Sequence, residues 1–157
     1  MPHVSNTSRT SPSSRCYGTK PNLRLTFDPL AALALSSLQA ERLCGMRVVL
    51  HPSVYFVQSR FPIVTTWENN QTSDGDGTIG RWVAEAAIVA RPFLKVEVRR
   101  LPLGGYSFLC AISEGKTVAT AAEVATKIAP AFDVVCSLRL IEEAKVVVGI
   151  RGVKRTP

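Results

Sequence analysis

Ligand and nucleophile chemistry is thin in this chain. Its histidines are His3 and His51, and its four cysteines, Cys16, Cys44, Cys110 and Cys136, include no C-x-x-C pair. Zinc needs several such ligands at short spacings, so no metal site is expected. Neither the P-loop spacing nor G-x-S-x-G occurs, which removes two well-marked routes to phosphoryl and acyl transfer. No apolar run approaches the roughly 18 residues that a membrane span requires. Acid is missing altogether from residues 1–26 and 151–157.

That last absence explains the net charge of +7. Residues 1–26 carry Arg9, Arg15, Lys20 and Arg24, and residues 151–157 carry Arg151, Lys154 and Arg155. Between them, residues 27–150 hold 12 basic and 12 acidic side chains and sum to zero. Basicity confined to the ends gives polyphosphate little to grip in the middle. Nucleic acid and membrane are therefore not expected as partners of the folded part. The apolar fraction of 46% and charged fraction of 20% are ordinary for one globular domain.

Residues 1–26 are rich in Ser, Thr, Pro and basic side chains and poor in aliphatics, the composition of a disordered tail. "LAALALSSLQAERLCG" (30–45) resembles a signal core ending in a lipoprotein cysteine. Asp28 and Pro29 before it, and Glu41, Arg42 and Leu43 where small residues belong, argue against export. A cytoplasmic location with free thiols is expected, with Cys110 and Cys136 as small buried hydrophobes. The same stretch holds helix formers, with a start signal at Ser36 and Gln39.

"MRVVLHPSVYFVQS" predicts extended structure broken at Pro52, "FPIVTTWENN" a short helix, and "NNQTSDGDGTIG" a loop. "VAEAAIVARP" and "FLKVEVRRL" predict a hairpin turning near Arg91–Phe93. In its second strand Leu94, Val96 and Val98 share one face, and Lys95, Glu97 and Arg99 the other. A helix carrying Phe108, Leu109 and Ile112 follows, closed by Gly115. Thr117 caps a helix at 118–129 with the stripe Ala121, Val124, Ala125 and Ile128, and Asp133 caps the next. "KVVVGI" is a closing strand. The expected class is α+β: a small antiparallel sheet followed by three short helices, like a winged-helix peptide-recognition domain. The expected divisions are a tail at 1–26, a helical stretch at 27–45, the α+β part at 46–150 and a basic tail at 151–157.

Candidate chemistry is sparse. His51 precedes a proline, with no sequence context pairing it to a nucleophile. Asp74–Gly77 hints at a calcium loop, but the interior spacing of an EF-hand is not met. An enzyme is not expected, nor a cofactor. The two helices after Thr117 have helix-turn-helix outline, the basis of an alternative reading as a DNA-binding regulator. The second helix and its cap, however, show Asp133, Arg139, Glu142 and Glu143, a net negative set that phosphate repels. The hairpin places Arg91, Lys95, Arg99 and Arg100 within ten residues, tempered by Glu97. A strand edge there can accept an extended peptide, with Trp67, Trp82 and Tyr106 as a candidate aromatic wall.

Taken together, "LHPSVYFVQSRFPIVTTWENNQ", "AAIVARPFLKVEVRRLPLGGYSFLCAISEGKTVATAAEVA" and "AFDVVCSLRLI" resemble the C-terminal domain of the HvfC/BufC peptide-modification chaperones, some of which carry an older DNA-binding label. The resemblance spans about residues 28–148. It implies a non-catalytic subunit, in the manner of the methanobactin chaperone MbnC. Such a subunit partners an iron-dependent TIM-barrel oxidase that modifies cysteines of a short ribosomally made precursor peptide. Iron is then expected only in the partner enzyme. By the same resemblance Arg91, Lys95, Glu97, Arg99 and Arg139 would border a peptide groove. Family members begin with a helical domain of about a hundred residues. Here only "DPLAALALSSLQAERL" resembles its exit, which implies a truncated product or one half of a split protein.

Overall fold

A run of β-branched and aromatic residues interrupted by one proline makes two strands here, and they join different sheets. The computed structural model describes residues 13–17, 40–71, 80–91 and 96–152. In chain order these form β1 (Ser13–Tyr17), α1 (Ala40–Cys44), β2 (Met46–Leu50), β3 (Tyr55–Ser59), α2 (Ile63–Asn69) and β4 (Glu85–Ala90). They continue with β5 (Glu97–Arg100), α3 (Gly105–Ser113), α4 (Val118–Ile128), α5 (Val134–Glu143) and β6 (Val147–Gly152). The class is α+β with antiparallel sheets, as the periodicities require.

One sheet has the order β1-β3-β4-β5 and the other pairs β2 with β6. Between β2 and β3, His51–Val54 turns the chain, with the Val54 N–H donating to the His51 carbonyl at 3.1 Å. Pro52 lacks the N–H that a continuous strand would need, so the run breaks where expected. The predicted hairpin is β4–β5, with Ala90 opposite Glu97 and Ala87 opposite Arg100. The predicted turn lies largely outside the described residues, as do most of the predicted loop at 69–80 and most of the predicted helix before Ala40.

The core lies among the inner face of the larger sheet, the β2–β6 pair and the C-terminal helices. Phe56, Ile88, Phe108, Leu109, Ile112, Ile141, Val146 and Val147 are fully buried. Phe108 meets Phe132 at 5.3 Å between ring centroids. The chain enters α3 through Gly104, whose φ is 84°. A Cβ there would meet the Ala125 carbonyl oxygen and the Phe132 ring at 3.1 Å, so both conformation and space call for glycine. Gly115, at φ 80°, closes α3 in the left-handed form expected of it. Thr117 accepts from the Thr120 N–H at 3.3 Å, and Asp133 from the Cys136 N–H at 2.9 Å, the two predicted caps.

Several expectations are corrected. Cys136 is exposed, whereas Cys110 is buried as expected. On α5 the inward stripe is Ser137, Leu138 and Ile141, and Cys136 stands two residues, or about 200°, from Leu138. Ile128 is also exposed, because the buried stripe of α4 is Val118, Ala121 and Ala125 and passes to Ala129 beyond its end. The closing strand runs to Gly152, so Arg151 and Gly152 pair with Arg47 and Met46 and are not tail. Of the stretch 1–26, residues 13–17 are described and pair with β3 in antiparallel register. The rest of that stretch and residues 153–157 lie outside the described residues. Among the described residues no helix is long and apolar enough to cross a membrane.

Candidate functional site

Residues opposite each other in an antiparallel ladder share a face. Phe56, Ile88 and Arg99 therefore line the inner face, and Val57, Ala87 and Arg100 the outer one. Successive arginines on β5 thus serve opposite sides of the sheet. The expected division of β5 into a valine face and a charged face holds, and the charged face, with Glu97 and Arg99, is the inner one. Glu97 and Arg99 stand on the side of the core helices, at its margin, while Val98 is half-buried and Val96 exposed on the outer side. The core face is already filled by Phe56, Ile88, Leu101 and Phe108, and β5 lies at the sheet's end beyond that filling.

On the inner side, Arg99 Nη2 contacts Glu97 Oε2 at 3.4 Å and Arg99 Nη1 contacts Glu143 Oε2 at 3.3 Å. Nη2 also donates to the Glu143 carbonyl at 3.4 Å. That carbonyl belongs to the last turn of α5, where a cation is favoured by the helix dipole. One guanidinium thus ties the edge strand to the end of the last helix.

On the outer side a tighter arrangement surrounds Glu85, which is 6% exposed. Pro62 stands at the N-cap of α2 and has no side chain to cap it. Glu85 does so from across the sheet: its Oε2 accepts from the Val64 N–H at 2.7 Å and the Thr65 N–H at 3.0 Å. The Thr65 hydroxyl donates to Oε1 at 2.6 Å, and Arg100 Nη1 bonds the same oxygen. Arg100 Nη2 donates to Thr65 Oγ1 at 3.1 Å and pairs with Glu68 at 3.3 Å. Burial pushes the Glu85 carboxyl up. The Thr65 hydroxyl, the two backbone N–H groups and Arg100 outweigh it, so the group ends below the usual glutamate range.

Of the predicted groove residues, Glu97 and Arg99 are brought together, and Arg99 also pairs with Glu143. Arg91 is exposed just after β4, on the other limb of the hairpin. Arg139 is exposed on α5 one turn before Glu143, and among the described residues it makes no ion pair. Lys95 lies outside the described residues. The aromatic wall does not assemble. Trp82 is 70% exposed and packs edge-on against Phe61 at 6.3 Å, Trp67 is half-buried on α2, and Tyr106 packs against the core.

What sequence reasoning missed is backbone. The Leu101 N–H donates to the Ala86 carbonyl at 2.8 Å. Hydrogen-bonded and non-hydrogen-bonded pairs alternate along an antiparallel ladder, so residues 97, 99 and 101 face β4. The N–H and C=O groups of Val98 and Arg100 then point away from it, and among the described residues no strand pairs there. The edge is short and open.

His51 was expected to stand apart from any nucleophile, yet its Nδ1 lies 2.7 Å from Ser53 Oγ and accepts from the Ser53 N–H at 3.1 Å. Both bonds close a two-residue turn around Pro52, which places an acceptor at Nδ1 and a proton on Nε2. Beside it lies a cavity of about 210 Å³ between β2 and the end of α3, lined by His51, Glu114, Gly115 and Arg151 among others. Glu114 pairs with Lys116 at 2.8 Å. Among the described residues no group of three or more His, Cys, Asp or Glu side chains is placed to hold a metal ion. The stretch "GDGTIG" (75–80) has the spacing of a dinucleotide fingerprint. It leads from a helix toward β4, the reverse of the strand-to-helix context that seats a pyrophosphate.

No protein-family model, curated protein or solved structure matches this chain.

Proposed function

We propose that this protein is a non-catalytic binding module that takes an extended precursor peptide along the outer edge of β5, as a subunit beside an iron-dependent oxidase. The observation that carries the reading is the open β5 edge. Its outward N–H and C=O groups offer main-chain hydrogen bonds to an added strand, flanked by Glu97, Arg99 and Glu143 on one side and by Val96 and Val98 on the other. The oxidase and the cysteine-containing peptide come from the resemblance to the HvfC/BufC chaperones, whereas the expectation of a cytoplasmic setting comes from the free-thiol pattern and the poor export signal. The alternative, a helix-turn-helix regulator, has α4 and α5 in its favour. Against it, the outer positions of α5 are Val135, Cys136, Arg139 and Glu143, one cation and one acid, which neutralises few phosphates.

Two measurements test the proposal. The chain is co-purified with an iron-dependent oxidase, expected in a neighbouring reading frame, and peptide affinity is measured for the parent chain and for Val98→Pro. Proline at 98 removes an N–H that faces outward and leaves the β4–β5 ladder its own bonds. Peptide affinity is expected to fall about tenfold or more, with the melting temperature changed by only a few degrees. A folded chain that captures no oxidase, or a Val98→Pro variant that binds peptide as the parent does, overturns it.

A further inference from the structure

The larger sheet has two ends, and they are treated differently. At one end β5 has no further strand beside it among the described residues; at the other, β3 is covered by Ser13–Tyr17. In the chain that covering strand precedes the rest of the described fold by residues 18–39. Its sequence, Ser-Ser-Arg-Cys-Tyr, has no β-branched residue and only Tyr17 among the strand-favouring types, so its intrinsic preference for a strand is modest. It sits at the sheet's end, so its ladder bonds go to one partner strand. In the alternation that places 87 and 89 of β4 against 57 and 55, Phe56 and Gln58 turn their backbone groups the other way. Those groups meet Cys16 and Ser14 in the β1 register.

We propose that Ser13–Tyr17 is a removable strand, held in cis, that blocks a second peptide-accepting edge on β3. A tethered strand competes at a high effective concentration, so it excludes a free peptide of similar intrinsic affinity while remaining exchangeable. The direction of pairing sets what a displacing peptide would meet. Ser13 lies opposite Ser59, so the part of a peptide preceding its paired residues runs toward the end of β3 where Arg60, Phe61 and Trp82 lie. There Arg60 stacks over the Phe61 ring at 4.9 Å, and Trp82 abuts Phe61. These are exposed side chains with apolar faces. The ligand class is therefore an extended peptide with an aromatic or aliphatic residue shortly before its paired segment. This edge is distinct from the one at β5, so its occupancy does not depend on the reading proposed above.

The probe is a fluorescently labelled peptide of residues 9–20 of this chain, titrated into the full chain and into the chain lacking residues 1–26. The shortened chain is expected to bind it one to one, and the full chain about tenfold or more weakly because its own strand competes. A probe carrying proline in place of Ser14 and Cys16 loses the two N–H groups that face β3 and is expected not to bind. Gln58→Pro in the shortened chain is expected to abolish binding, whereas Val98→Pro leaves it unchanged, which separates this edge from the β5 edge. Equal affinity in the full and shortened chains overturns the proposal, as does binding of the proline probe. So does a full chain that is dimeric until residues 1–26 are removed, since the strand would then dock between copies. A shortened chain that melts as the full chain does but binds no probe overturns it as well.

Discussion

Arg99 and Arg100 are neighbours on one strand, and they do opposite jobs. Arg100 joins a carboxylate whose side chain is 3% exposed, already holding two backbone N–H groups and a hydroxyl. Arg99 joins Glu97 and Glu143 at the rim, where side-chain exposures run from 36% to 69%. An exposed pair gains little over water and is screened by salt. A buried carboxylate that caps a helix leaves unmet donors behind when it is removed. The contrast teaches that cation-carboxylate adjacency in the sequence carries no fixed meaning. The pleat sends the two side chains to opposite faces, and burial then separates a folding device from a surface feature.

Replacing the buried partner is expected to have the largest effect. Glu85→Gln keeps the shape but weakens acceptance from the α2 backbone and leaves Arg100 without its buried partner, so stability should drop by about 1–3 kcal/mol in urea unfolding. The pH dependence follows from the lowered carboxyl. Its contribution is fully present above the ordinary glutamate value of about 4.3 and is lost as pH falls through the lower folded value. Stability of the parent chain should therefore decline toward acid over that window, and the Glu85→Gln variant should decline less steeply. Identical slopes would remove Glu85 from the role given to it.

A third arrangement sharpens the comparison. Arg47 and Arg151 stand directly opposite each other on β2 and β6, both exposed. Like charges so placed repel. Arg151→Glu should raise stability by about 0.2–1 kcal/mol at low salt, with the gain fading as salt is added. The smallest effect belongs to the rim: Glu143→Gln should change stability by no more than about 0.5 kcal/mol. A loss at Glu143 equal to that at Glu85 would break the contrast between the two arginines.

Much of the outline was legible from local rules. Pro52 marked the break between two strands, Gly115 the end of α3, and Thr117 and Asp133 the starts of α4 and α5, because each acts through its own backbone or within one turn. The hairpin was legible for the same reason, its strands being close in sequence. The candidate site was legible only in part. Glu97 and Arg99 were singled out, but Glu143, which completes their cluster, is supplied by a helix more than forty residues away. Periodicity placed Val98 and Arg99 on opposite faces without saying which face was inner. It also put Cys136 and Ile128 among buried neighbours, since apolar residues near helix ends fit more than one stripe.

Local chemistry by itself determined where several elements begin or end, the neutral balance of the central region, and the α+β class. These depend on steric limits, caps and alternation within a few residues. Only the tertiary structure decided that β2 pairs with β6 and not with β3, that Glu85 caps a helix from another strand, and that among the described residues one end of the larger sheet is open and the other covered. Each of these joins groups far apart in the chain, and such contacts are fixed by how whole faces fill a shared core.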